Sequence, residues 1–276
     1  MIPLSCPDMP FPVEEVARVL PKLKAAGFAA IELAWVGCGR PEYIPLAKET
    51  ARRSRDAGLE IGAIWVHGIR GAGNSVAIIR RSALERMKPL LDLAVESNAG
   101  GVVTIDHRRE PEAAPAARDE ALAYLGESFA ELGRYAAAIG TKVFLEPLSR
   151  PNRPLLDTIE SAAEFCRGLG SPSVMVCADT YHAHCNGEDF NAALARAKPQ
   201  IGYIHFSDFC SAPGKPDRPL PGFGEINFAE AIRVVEAVDY RGVVAIEGAV
   251  PDGMTALEAC AAVVRRLRGA GLGQPS

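Results

Sequence analysis

Residues 142–147, KVFLEP, form a short apolar run that ends on a carboxylate, Glu146, and is closed by a proline. A run of this length and composition reads as a strand of a parallel sheet covered on both faces. The construction recurs in VMVCADT (174–180), GYIHFSD (202–208) and VVAIEG (243–248), which carry Asp179, His205 and Glu247 at or near their ends. In a barrel of parallel strands the C-terminal strand ends converge on one open face, so these four residues can meet around one ion. Any one strand-end carboxylate could instead cap the next helix or pair with an arginine. Four together favour ligation, because an isolated buried charge costs several kcal/mol.

Working outward from 142–147, short aliphatic runs alternate with helical patterns, the mark of successive βα units. Eight strands are expected: Ile2 to Cys6, Ala29 to Trp35, Glu60 to Val66, Gly101 to Asp106, Lys142 to Pro147, Val174 to Asp179, Gly202 to Asp208 and Gly242 to Gly248. Eight closes a barrel, so the fold class is α/β, a single-domain (β/α)8 TIM barrel over residues 1–268. Residues 269–276, GAGLGQPS, are expected to be a flexible tail. Helices are expected at Val13 to Ala25, Ser75 to Glu96, Glu120 to Ala138 and Thr255 to Leu267, several with acidic starts and basic ends. Helix-to-strand turns are tight and glycine-marked, whereas HGIRGAGNS, HRREPEAAPAAR and residues 209–225 are long strand-to-helix loops. Function is expected on the long-loop face.

With 276 residues, 48% of them hydrophobic, the chain can bury one large core. Its net charge of -4, with scattered Lys and Arg, disfavours a nucleic-acid partner and points to a small molecule. No apolar stretch approaches the roughly 20 residues that span a bilayer, and the N-terminus lacks a basic region of the signal-peptide kind. Seven cysteines without a C-x-x-C pair argue against a disulfide framework and a thiolate zinc site. A cytoplasmic protein without a membrane partner is therefore expected, with homo-oligomerisation left open.

Three carboxylates and one imidazole suit manganese first, with magnesium, cobalt or zinc as alternatives, rather than a structural zinc closed by cysteine and histidine. Four protein ligands leave room for two substrate oxygens, as in an α-hydroxy ketone, whose enediolate the cation would stabilise.

The runs LEPLSRPNRPLLDT (145–158), VCADTYHAH (176–184), YIHFSD (203–208), PDRPLPGFGEINF (216–228) and VVAIEG resemble the xylose-isomerase-like TIM-barrel family of sugar epimerases and isomerases. Tagatose or psicose 3-epimerases and inosose isomerases are among its members. The likeness covers the second half of the chain; the first half matches mainly as barrel pattern. The resemblance implies that Glu146, Asp179, His205 and Glu247 hold one divalent metal ion. It also implies that Glu146 and Glu247 flank a keto-sugar or polyol, one removing the proton beside the carbonyl and the other returning one. His182 and Arg218 match positions that contact substrate oxygens. Trp35 and Trp65 are candidates for stacking on a sugar face or for barrel filling. His67 and His107 could line the pocket. Arg150 and Arg153 read as a solvated loop before they read as an anion clamp.

Two further readings use the same residues. DTYHAHCNGED (179–189) also resembles the D-T-x-H-A motif of endonuclease IV, a zinc phosphodiesterase; His67, His107 and Asp217 would then be ligands, but the last histidine of its D-R-H motif is Pro219 here. A dehydratase or other lyase on a keto-cyclitol or dehydroshikimate-like substrate would share the first proton abstraction and differ in where the acid stands. A non-catalytic metal-binding barrel is disfavoured by the retention of both glutamates.

Overall fold

A computed structural model describes residues 2–37, 42–66, 71–106, 115–152 and 154–273. His67, His107 and Arg153 lie outside the described residues. In chain order the elements are β1 (Leu4–Pro7), α1 (Val16–Ala26), β2 (Ala30–Gly37), α2 (Tyr43–Asp56), β3 (Glu60–Val66), α3 (Ala77–Ser97), β4 (Val102–Ile105), α4 (Pro115–Ile139) and β5 (Val143–Glu146). They continue with α5 (Ile159–Leu169), β6 (Val174–Asp179), α6 (Thr180–Cys185), α7 (Phe190–Ala197), β7 (Ile201–Ser207), α8 (Phe228–Ala237), β8 (Val244–Glu247) and α9 (Ala256–Gly269). The eight strands pair in sequence order, all parallel, and β8 returns to β1 through Leu4↔Val244 and Ser5↔Ala245. All eight strands read from the sequence are present, within a few residues at each end.

Side chains alternate across a strand, so every second residue of the barrel points inward. Ala63, Val103, Phe144, Cys177, Tyr203 and Ala245 fill the interior. The larger apolar cluster lies between sheet and helices, with Leu20, Leu23, Ile31, Leu91, Phe129 and Val263 fully buried. Counting two residues on from Phe144, Cys177, Tyr203 and Ala245 gives Glu146, Asp179, His205 and Glu247. The strand period that fills the core with apolar groups therefore aims all four candidate ligands inward at its C-terminal rim. Register reinforces this, since Asp179 pairs directly with His205 and Glu247 with Ser207.

Helix ends follow their local chemistry. Thr255 caps α9 with a reciprocal bond from Glu258, and Arg266 and Arg268 lie in its last turn. Leu272, beyond that helix, is buried against the core. The six described cysteines are free thiols. Among the described residues no helix is long and apolar enough to cross a membrane.

Candidate metal centre

His205 is fully buried and is the hub of the site. Its Nδ1 lies 3.0 Å from Glu146 Oε1, 3.1 Å from Glu247 Oε2 and 3.9 Å from Asp179 Oδ2. One ligand atom from each of these four residues falls within 4.8 Å of all the others. Cys177 also reaches Glu146 and His205 from one layer deeper. Burial, the largest influence on it, pushes the Cys177 thiol above its ordinary range, so it remains a neutral thiol and a poorer ligand than the carboxylates.

Each candidate ligand is held from behind. Asp179 ends β6 and caps α6, its Oδ1 accepting from the His182 backbone N–H at 3.0 Å. Its Oδ2 accepts from the Ser207 hydroxyl at 2.8 Å and from Arg218 Nη2 at 2.7 Å. Thr180 Oγ1 donates to the Ser207 carbonyl and accepts from its N–H, fastening the ends of β6 and β7 together. Trp65 Nε1 stands 3.5 Å from Glu146 Oε2. His182 is buried, and its Nδ1 accepts from the Ser149 N–H at 3.0 Å.

Arg218 reaches the site from the long loop 209–226, which a second carboxylate shapes. Asp208, fully buried, accepts backbone N–H bonds from Phe209 and Ile226 at Oδ1 and from Gly222 and Gly224 at Oδ2. Glycine is required at 224, because a Cβ there would lie 2.1 Å from the Phe209 carbonyl oxygen. The loop then docks beside β8 through a bridge between Pro219 and Ala249. Arg218 Nη2 is thereby placed 2.8 Å from Glu247 Oε2, over the ring of Tyr181.

Charge dominates the electrostatics. Burial alone would raise Glu247, but Arg218 and His205 hold its carboxyl down at about 2. For His205 burial disfavours the imidazolium, yet the surrounding Cys177, Glu32 and Glu146 outweigh it and push the ring well above its ordinary value. Glu247 Oε2 is close to two positive centres, but neither approach has the angles of a hydrogen bond, and the atom has no directed donor. A buried oxygen in that position suits an ion that binds without angular demand. Four carboxylates, counting Glu32, face one guanidinium and one imidazole ring, and a divalent cation would offset the remaining excess. The donor set and its charge fit such an ion.

The site opens into a cavity of about 400 Å³ lined by Pro7, Met9, Pro10, Glu32, Ala34, Trp65, Arg218 and 247–250. Trp65, Arg218 and Glu247 are thus brought together there, and His182 stands just behind Asp179. Trp35 is not in the lining: its Nε1 donates to the Phe11 carbonyl at 2.9 Å and its ring meets Tyr43 edge-on. Arg150 is exposed and pairs with Asp157 at 2.8 Å, and Asp217 accepts from the Tyr181 hydroxyl at 2.9 Å. Sequence reasoning missed Glu32, which is 2% exposed with Oε1 3.1 Å from His205 Nε2. Its signal was present, a carboxylate inside the apolar run AAIELAW.

A family model described as "Xylose isomerase-like TIM barrel" matches residues 20–267. Among curated relatives, an L-ribulose 3-epimerase of Mesorhizobium japonicum is 26% identical over 226 residues, 82% of this chain and 73% of that one. A putative hydroxypyruvate isomerase of Danio rerio is 26% identical over 261 residues, 90% of each chain. Among solved structures, the apo form of the E. coli 3-keto-D-glucoside 4-epimerase YcjR superposes with a TM-score of 0.83 at 21% identity, covering 98% of this chain and all of the other.

Proposed function

The chain belongs to the xylose isomerase-like TIM-barrel family, and from that premise we propose that it is a divalent-metal-dependent epimerase or isomerase of a keto-sugar or related polyol. Its relatives include named sugar epimerases and isomerases. The observation that carries the reading is the convergence of Glu146, Asp179, His205 and Glu247 within 4.8 Å, beside a cavity that Glu247 lines and that is large enough for a small sugar.

A cation held by these four residues, manganese first by the chemistry of the donors, would polarise the substrate carbonyl and favour an enediolate. The proton work falls to the chain. Glu247, in the cavity wall and held ionised by Arg218, would remove or return a proton at the carbon beside the carbonyl. Glu146, from the other side of the ligand ring, supplies the second carboxylate that inversion requires. Trp65 would offer its ring to the apolar face of a sugar and Arg218, in the same cavity wall, would bind its hydroxyl and carbonyl oxygens, with His182 a further candidate for such a contact from behind Asp179. The substrate is then a free small molecule, and the protein works in the cytoplasm without a membrane or nucleic-acid partner.

Incubating the Mn2+-loaded protein with a panel of ketoses, keto-inositols and keto-acids tests this. An epimer or aldose–ketose isomer should form and vanish when a chelator is added. Absence of product from the whole panel, or turnover indifferent to the chelator, would refute the reading.

A further inference from the structure

We propose that Glu32 is a positioning residue that fixes the tautomer and ring orientation of His205 for metal binding; the proposal rests on the divalent-cation reading of the site. Four candidate ligands come from β5 to β8, whereas Glu32 comes from β2, on the opposite wall of the barrel. It sits in the middle of the strand AIELAWVG at 2% exposure, where an unpaired carboxylate would cost several kcal/mol. Its Oε1 lies 3.1 Å from His205 Nε2, on the edge of the imidazole turned away from Glu146 and Glu247.

An imidazole can give a metal only the nitrogen that carries no proton, and the partner of the other nitrogen decides which one that is. Glu32 accepts from Nε2–H, which leaves the Nδ1 lone pair directed at the three carboxylates. Without an acceptor behind it, the ring could flip or take its proton on Nδ1. The strand carrying Glu32 is itself pinned, since Asp8 Oδ1 accepts from the N–H groups of Ala34 and Trp35, two and three residues further on. The residue that follows β1 therefore braces β2, β2 orients the imidazole of β7, and β7 presents Nδ1 to the carboxylates of β5, β6 and β8.

The test uses Mn2+ alone, titrated calorimetrically into the metal-free full chain as wild type, Glu32→Ala and Glu32→Gln. Glu32→Ala, folded by circular dichroism, should bind Mn2+ about 10- to 100-fold more weakly than wild type. Glu32→Gln keeps an acceptor oxygen and should recover a large part of that loss. A reading on the wild type needs no variant to fold: nitrogen-15 NMR of the Zn2+-loaded protein should place the His205 proton on Nε2, in a hydrogen bond protected from solvent. Affinity of folded Glu32→Ala within threefold of wild type, or a proton on Nδ1 in the zinc complex, would overturn the role of Glu32 while leaving the metal site standing. Failure of the wild type itself to bind Mn2+ would instead remove the site, and this proposal with it.

Discussion

Arg218 Nη2 and Glu247 Oε2 lie 2.8 Å apart, a contact between the loop 209–226 and the end of β8 that holds the candidate base in its charged form. A carboxyl lowered from 4.5 to about 2 stabilises the folded state above pH 4.5 and loses that contribution as pH falls toward 2. Arg218→Met should therefore lower stability at pH 7, by at most about 3 kcal/mol because His205 also holds the carboxyl down, and the gap from wild type should close as pH falls below about 4. Urea unfolding at several pH values checks the slope. Mn2+ should narrow the gap at pH 7, because it supplies the positive charge that the variant lacks.

Glu146→Gln and Glu247→Gln each keep the side-chain volume and remove the ability to take a proton. Either should lower kcat by about 10²- to 10⁴-fold or more while the far-ultraviolet circular dichroism stays that of the parent. Near-parental turnover in either variant would refute the two-base scheme.

Asp8 gives a pH dependence of the opposite sign. Burial is the main influence on it and pushes its carboxyl from 3.8 up to about 7, against the opposing bonds from Trp35 and Ala34. The folded state then keeps a proton that the unfolded chain releases between about pH 4 and 7, so stability declines across that window and levels off above it. Asp8→Asn retains an acceptor for Ala34 and Trp35 without the charge. The variant should lack the decline and exceed wild type by on the order of 2–4 kcal/mol above pH 7, as read by thermal unfolding.

Asp208 organises the loop rather than the chemistry. Asp208→Ala would strip four backbone N–H groups of their acceptor, costing about 2–4 kcal/mol if the loop stays closed. The expected outcome is faster proteolysis within 209–226 and a raised KM, since Arg218 rides on that segment. Parental proteolysis rates would show that the loop closes without it.

Much of the architecture was legible because a barrel writes itself into sequence twice, in apolar runs at regular spacing and in polar residues where those runs end. Glu146, Asp179, His205 and Glu247 stood out for that reason. Glu32 did not, because it lies within its strand rather than at the end, and only the knowledge that both faces of β2 are covered makes a mid-strand carboxylate conspicuous. The same alternation explains Trp35. Glu32 and Ala34 point into the cavity, so the next residue faces the other way, toward Phe11 and Tyr43. The shaping of loop 209–226 by Asp208 was hidden for a different reason: its bonds run to backbone groups 1 to 18 residues away, and no side-chain pattern announces them.

The central claim is proton transfer at the carbon next to a carbonyl, between two carboxylates that share one cation. Running the Mn2+-loaded reaction in D2O and reading the α-carbon by NMR tests it most directly. The account predicts deuterium at the inverted or isomerised carbon of the product, and its loss in Glu146→Gln and Glu247→Gln. Product formed with no solvent deuterium at that carbon would mean that hydrogen moves without leaving the substrate, and would contradict it.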